Sequence, residues 1–208
     1  NEPPQKFYTL YPDTYINSNG QQEITYAPVH PNFIWEDNGD YPSGIDKWHI
    51  FLRTKGINDI ILYRTFDSDS VTYNEMGEIE VQDTNLPPLN DGFYDWWVEA
   101  QDKANLIEFS DTNTFGVDAS PPDISHSPIN TIDEGTNSPT IDAQFFDVAS
   151  GVKDAFLHYR RSGSGFGFTK VDLLSGPVSI PASDVRAQGI EYFIESEDNI
   201  GNVSRWPN

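Results

Sequence analysis

The sequence of 208 residues predicts an all-β chain folded as two tandem β-sandwiches. Three observations carry this. Short stretches alternate apolar and polar residues with period two, as a half-buried strand does. Clusters of Gly, Pro, Asn and Asp separate them, with 15 Gly and 15 Pro supplying the turns. One pattern occurs twice along the chain. No amphipathic helix is predicted, and Ser183–Ala187 suits a single helical turn.

The repeat has two blocks. Ser43-Gly44-Ile45-Asp46-Lys47-Trp48-His49-Ile50-Phe51-Leu52-Arg53 aligns without a gap on Ser150-Gly151-Val152-Lys153-Asp154-Ala155-Phe156-Leu157-His158-Tyr159-Arg160. Trp96-Trp97-Val98-Glu99-Ala100-Gln101-Asp102 aligns on Tyr192-Phe193-Ile194-Glu195-Ser196-Glu197-Asp198. Both blocks read as strands. Trp48, Ile50 and Leu52 form one face, and Ala155, Leu157 and Tyr159 its copy. Tyr94, Trp96, Val98 and Ala100 form another, repeated by Ile190, Tyr192, Ile194 and Ser196. Further strands are predicted at Phe7–Leu10, Asn32–Trp35, Ile60–Thr65, Glu78–Val81, Glu108–Val117, Thr140–Phe146, Phe168–Leu173 and Val178–Ile180. Aromatics are 13% of the residues against 37% hydrophobic, so a few large rings are expected to fill each core.

The boundary falls at Val117-Asp118-Ala119-Ser120-Pro121-Pro122. Two prolines cannot continue a ladder, and they predict a short, stiff connection.

Both halves resemble bacterial fibronectin type III and immunoglobulin-like (Ig-like) repeats of secreted and surface proteins. The second half carries the resemblance in Val117–Pro122, Ser150-Gly151-Val152, His158-Tyr159-Arg160-Arg161, Ile180-Pro181-Ala182, Gly189–Glu195 and Asp198–Ser204. The first carries it in Phe33-Ile34-Trp35, Leu86-Pro87 and Tyr94–Asp102. The resemblance implies tandem Ig-like/fibronectin type III-like β-sandwiches. Residues 1–118 would form a fibronectin type III-like module and 119–208 a bacterial Ig-like module. It also implies a role as spacer, adhesion unit or accessory domain, with no shared catalytic residues.

The net charge of −21 disfavours nucleic acid and anionic lipid as partners. Residues 1–119 hold 21 acidic and 6 basic side chains, so most of the negative charge lies in the first half. No cysteine is present, which removes disulfides and thiolate chemistry. No apolar run reaches the ~20 residues that span a bilayer, so no membrane insertion is expected. No signal peptide opens the sequence, so secretion would be directed from outside it.

Candidate site residues follow from chemistry. Asp37, Asp40, Asp46 and Asp102 in the first half, and Asp147, Asp154, Asp198 and Asn199 in the second, are hard oxygen donors around predicted strand ends, the ligand type Ca2+ takes, with Asp37, Asp102, Asp147, Asp198 and Asn199 as the preferred set. The competing expectation is that they cap turns. Phe93, Trp97 and Phe193 fall on the face opposite the core, where exposed rings could meet a sugar or a protein. Tyr8, Tyr11, Tyr15, Tyr26 and Tyr41 crowd the first half. His49 and His158 are placed on opposite faces, so they suggest no shared metal site. No nucleophile elbow or phosphate loop occurs. Arg160-Arg161-Ser162-Gly163-Ser164-Gly165 reads as a glycine-rich hairpin.

Three readings remain at this point. The first is a non-catalytic extracellular or cell-surface spacer or adhesion pair within a larger protein, with partners among its other domains or surface proteins and glycans. The second is a carbohydrate-binding accessory segment of a secreted enzyme. The third is a subunit of a surface layer or filament.

Overall fold

The computed structural model describes every residue except Asn1, Tyr41, 83–86, 132–136 and Asn208. Tyr41 and Leu86, both singled out above, therefore lie outside the described residues. The chain divides into two compact units, Asn1–Ala119 and Ser120–Asn208.

The first unit contains β1 (Thr9–Tyr11), β2 (Thr14–Ile16), β3 (Gln22–Ile24), β4 (Tyr26–Ala27), β5 (Asn32–Trp35), β6 (Ile45–Thr54), β7 (Ile60–Asp67), β8 (Thr72–Tyr73), β9 (Ile79–Gln82), β10 (Gly92–Asp102), β11 (Ile107–Phe109) and β12 (Asn113–Val117). One sheet runs β1-β5-β9-β8 and the other β4-β12-β10-β6-β7, with β11 also on β10. β2 and β3 form a separate hairpin. The inner faces meet through rings. Trp35 of β5 packs edge-on to Trp48 of β6 at 5.9 Å, and Phe33 lies 4.8 Å from Trp96 of β10. Trp35, Trp48, Trp96, Phe7 and Phe115 are all at most 1% exposed. Each such ring removes roughly 150–250 Å² from water, which contributes about 4–6 kcal/mol of transfer free energy. The Trp96 indole N–H donates to the Pro12 carbonyl at 2.7 Å, so its polar atom is not stranded. The Tyr94 hydroxyl donates to the Asn90 carbonyl at 2.8 Å, the tyrosine corner of Ig-like sandwiches.

The second unit contains β13 (Asp123–His126), β14 (Thr140–Ile141), β15 (Ala143–Phe146), β16 (Val152–Arg161), β17 (Thr169–Asp172), β18 (Val178–Ser179), β19 (Ile190–Asp198) and β20 (Val203–Trp206). Its main sheet runs β17-β16-β19-β20. The second layer is broken. The stretch expected as one strand, Thr140–Phe146, changes partner at Asp142: β14 pairs with β18 and β15 with β13. At the break, His126 Nδ1 donates to the Asp142 carbonyl at 2.7 Å. That bond leaves Nε2 to accept from the Tyr192 hydroxyl at 3.0 Å, and the hydroxyl accepts from Ile129 N–H at 3.2 Å.

The two units are tandem Ig-like, fibronectin type III-like sandwiches. The expectation that rings fill both cores holds for the first alone. The second core is Ile141, Leu157, Tyr159, Leu173, Ile180 and Ile194, mostly aliphatic, with Tyr192 and Trp206 packed beside it. The stretch expected as Glu108–Val117 is also two strands, because regular pairing with β10 breaks at Ser110–Thr112, where the Ser110 hydroxyl takes the Val98 N–H at 2.9 Å. The expected helical turn is a short 3-10 turn at Ala182–Asp184.

The duplication extends to fine geometry. β6 and β10 pair antiparallel from Tyr94↔Thr54 to Asp102↔Ile45, and β16 and β19 from Arg161↔Ile190 to Val152↔Asp198. Asp46 is skipped in the first ladder and Lys153, its aligned residue, in the second, so both carry an irregularity at the same point. Gly44 and Gly151 precede it with φ of 77° and 82°, a left-handed backbone that costs an L side chain energy.

Gly116 has a different reason to be glycine. It pairs with Tyr26 on the parallel neighbour β4, and an added Cβ would sit 2.6 Å from the tyrosine ring. Gly116→Ala is expected to push the ring off the strand and destabilise the first unit by about 1–3 kcal/mol, the usual range for overpacking. Urea denaturation of the 1–119 unit measures this, and an unchanged midpoint would show that the ring yields freely.

Candidate functional site

Two regions gather the candidate residues: the outer face of each main sheet and the turns at the ends of the long strands. Because side chains alternate along a strand, the register that buries Trp96 and Val98 turns Phe93, Asp95, Trp97 and Glu99 outward. In the second unit it turns Glu191, Phe193, Glu195 and Glu197 outward.

On the first outer face, Trp97 is directly opposite Phe51 and stacks on it, with centroids 5.2 Å apart and planes 2° from parallel. Phe51 continues to Tyr63 at 5.0 Å, and Tyr63 to His49 at 5.6 Å. The Arg53 guanidinium lies 5.4 Å over the Trp97 ring and 3.3 Å from Asp95 Oδ2. Phe93 stands apart, 6.3 Å from Tyr26.

The second outer face repeats the design with other side chains. Phe193 stacks on His158 at 4.4 Å, with the planes 6° apart. Arg160 pairs with Glu191 at 2.6 Å, at the aligned positions of Arg53 and Asp95. That bond, with others from Gly163 N–H and the Ser162 hydroxyl, holds the Glu191 carboxyl below its ordinary pKa. The Arg205 guanidinium lies 5.4 Å over Phe193, and Lys170 sits 3.7 Å over Phe156. His49 and His158 both lie on outer faces, which corrects their expected placement on opposite ones. His49 aligns on Phe156 and His158 on Phe51, two residues apart along the strand, and period two returns both to the same side.

The strand-end carboxylates bond first to backbone. Asp37 Oδ1 accepts from Gly39 N–H at 3.0 Å and Oδ2 from the Tyr73 hydroxyl at 2.6 Å. Burial, then this bond, pushes the Tyr73 phenol up to about 12. Asp147 Oδ1 accepts from Ala149 and Gly151 N–H, and Asp198 Oδ1 from Ile200, Gly201 and Asn202 N–H. Asn199 donates to the Ser150 and Gly151 carbonyls. Within the second unit, Asp147 and Asp198 bring a carboxylate oxygen of each within 4.8 Å of the other. Asp102 is fully buried, and its Oδ1 accepts from Ala104 and Leu106 N–H at 2.8 and 2.7 Å. Its Oδ2 has no hydrogen-bond partner among the described residues, nor does Asp40 Oδ2. Asp40 belongs to the strand-end acids named from the sequence, though not to the preferred ligand set. The alignment that matches Gly44 with Gly151 also puts Asp40 on Asp147.

Desolvation, then the nearby Lys170 and Arg205 charges, lowers the His158 pKa, against an opposing pull from Glu195. A lowered folded-state pKa means that the unfolded chain takes up the proton first. The contribution of His158 is therefore complete above its ordinary value of about 6.5 and is lost as pH falls below it. Denaturation of residues 120–208 from about one unit above to about one unit below that value is expected to show this loss. His158→Phe should flatten it, and an equal slope in the variant would refute the assignment.

No protein-family model matches the sequence, and no curated protein does. Among solved structures, the chain is similar to one described as "Structural insight into host cell surface retention of a 1.5-MDa bacterial ice-binding adhesin". The TM-score is 0.43 at 16% identity, over 99% of this chain and 63% of that one. It is similar to the fibronectin(III)-like modules of Clostridium thermocellum CbhA, at TM-score 0.33 and 10% identity over 95% and 88% of the two chains. It is also similar to the FN1–FN3 domains of chicken CNTN1, at TM-score 0.32 and 13% identity over 93% and 66%. The chain thus spans less than two thirds of the adhesin and CNTN1 chains. The fold assignment rests on strand order, register and the tyrosine corner.

Proposed function

We propose that the two modules are a non-catalytic structural segment, a spacer within a larger secreted or cell-surface protein. The observation that carries this reading is the repeated, self-contained build. The same bulged long-strand ladder occurs twice, and each outer face is tied together by its own ring stack and arginine–carboxylate pair. Trp97, Phe93 and Phe193 all engage rings or cations of their own module, so intramodular packing accounts for them without a ligand.

One cavity, about 280 Å³, lies in the first module between Val29, Pro31, Phe33, Leu52, Leu62 and Tyr94. It is mainly apolar and sits at the lower end of the ~300–1,000 Å³ usual for small-molecule pockets. Another, about 140 Å³, lies in the second module near Tyr159, Arg160 and Asp184. Among the described residues no helix is long and apolar enough to cross a membrane.

A load-bearing spacer unfolds module by module. Pulled from its ends, the chain is expected to give two cooperative steps of roughly 350–400 Å and roughly 250–300 Å, the extended lengths of its units less their folded widths. Gradual extension without two steps would contradict the spacer reading. Saturable glycan binding lost in Trp97→Ala would favour the carbohydrate-binding reading instead.

A further inference from the structure

We propose that the first module binds a divalent cation of the Ca2+ class at the turns that carry Asp40 and Asp102. These turns are joined by backbone. Gly44 N–H donates to the Asp40 carbonyl at 3.0 Å, and Lys103 N–H donates to the Gly44 carbonyl at 3.1 Å. Asp102 also pairs directly with Ile45 in the ladder.

Each aspartate keeps one oxygen that is out of water and without a hydrogen bond among the described residues. For Asp102 the whole residue is at 0% exposure. Its Oδ1 is held by the Ala104 and Leu106 amides, which turns Oδ2 to the other side of the carboxyl carbon. Turn capping explains the first oxygen and leaves the second unexplained. An uncompensated carboxylate oxygen in a dry site is costly, and a hard cation removes that cost.

The second module offers a comparison in which the turn bonding differs: the Asp147 carboxylate takes the Gly151 N–H, so the aligned Asp40 carboxylate, whose carbonyl takes the Gly44 N–H instead, is left freer. The second module's aligned residues, Asp147 and Asp198, bring their oxygens within 4.8 Å of each other, close enough to share one ion. There, however, Asn202 donates to Asp198 Oδ2 at 2.7 Å. The aligned bond is missing in the first module, where Leu106 stands at the position of Asn202. Leucine has no donor to offer Asp102 Oδ2, so that oxygen remains available.

Lys103 brings an ammonium to the same turn, 3.8 Å from where a Cβ on Gly44 would lie. It forms no ion pair with Asp40 or Asp102 among the described residues, so it weakens the site without replacing the ion. Two carboxylates make a low ligand charge, with carbonyls and water completing the shell. The affinity expected is that of extracellular modules, a Kd on the order of 10⁻⁴–10⁻³ M.

The test is a titration of the full isotope-labelled chain with CaCl2 up to about 10 mM, several times that Kd, followed by amide NMR. Saturable shifts are expected at Gly44, Ala104 and Leu106, with a weaker response to MgCl2. Asp40→Asn and Asp102→Asn should each weaken binding about tenfold or more, while Asp37→Asn leaves it unchanged. Asn at 102 keeps the capping oxygen, and if that variant still misfolds, Asp40→Asn decides. No saturable shift at those amides, equal responses to the two salts, or full binding by Asp40→Asn would overturn the proposal.

Discussion

The register between the two long central strands is the constraint on which everything else depends. In each module an antiparallel ladder fixes which side chains face inward. A slip of one residue would send Trp48, Trp96 and Val98 to solvent and bring Arg53, Asp95 and Glu99 into the core. That exchange would expose three side chains now at 1% or less. It would also bury charges that now pair at the surface, so the competing registers lie far above the native one in energy.

Once the register is set, the modules can differ in filling while keeping one frame. Trp48 and Ala100 face each other in the first, a large residue opposite a small one. Ala155 and Ser196 replace them in the second, and the serine hydroxyl donates to the Asp154 carbonyl. Outside, Trp97 on Phe51 becomes Phe193 on His158, and Arg53–Asp95 becomes Arg160–Glu191. The cross-strand pair, rather than the individual residue, is the repeated unit. The same logic reaches the turns, where Asp102 and Asp198 both cap the strand end but only Asp198 has an asparagine for its second oxygen.

The long strands were legible in the sequence because their alternation runs for three or four inward positions and occurs twice. The hairpin of Thr14–Ile16 and Gln22–Ile24 was not, because it buries little and shows no apolar period. The partner switch at Asp142 and the gap at Ser110–Thr112 depend on which neighbour lies alongside, and that is tertiary information. The outward placement of Trp97 and Phe193 followed from period two. Their stacking partners did not, since pairing across strands needs the register. Asp102 could be read as a strand-end acid. Which of Asp37 and Asp40 keeps an unbonded oxygen could not, because Asp37 reaches Tyr73, 36 residues away in sequence.

Amide hydrogen exchange on the folded chain tests the central claim most directly. If the long-strand ladders hold the modules together, the slowest amides will lie in β6 and β10 of the first module and in β16 and β19 of the second. Those amides should exchange only through global unfolding of their own module, while β2, β3 and β14 open locally. Faster exchange in the central strands than in those short ones would contradict the account.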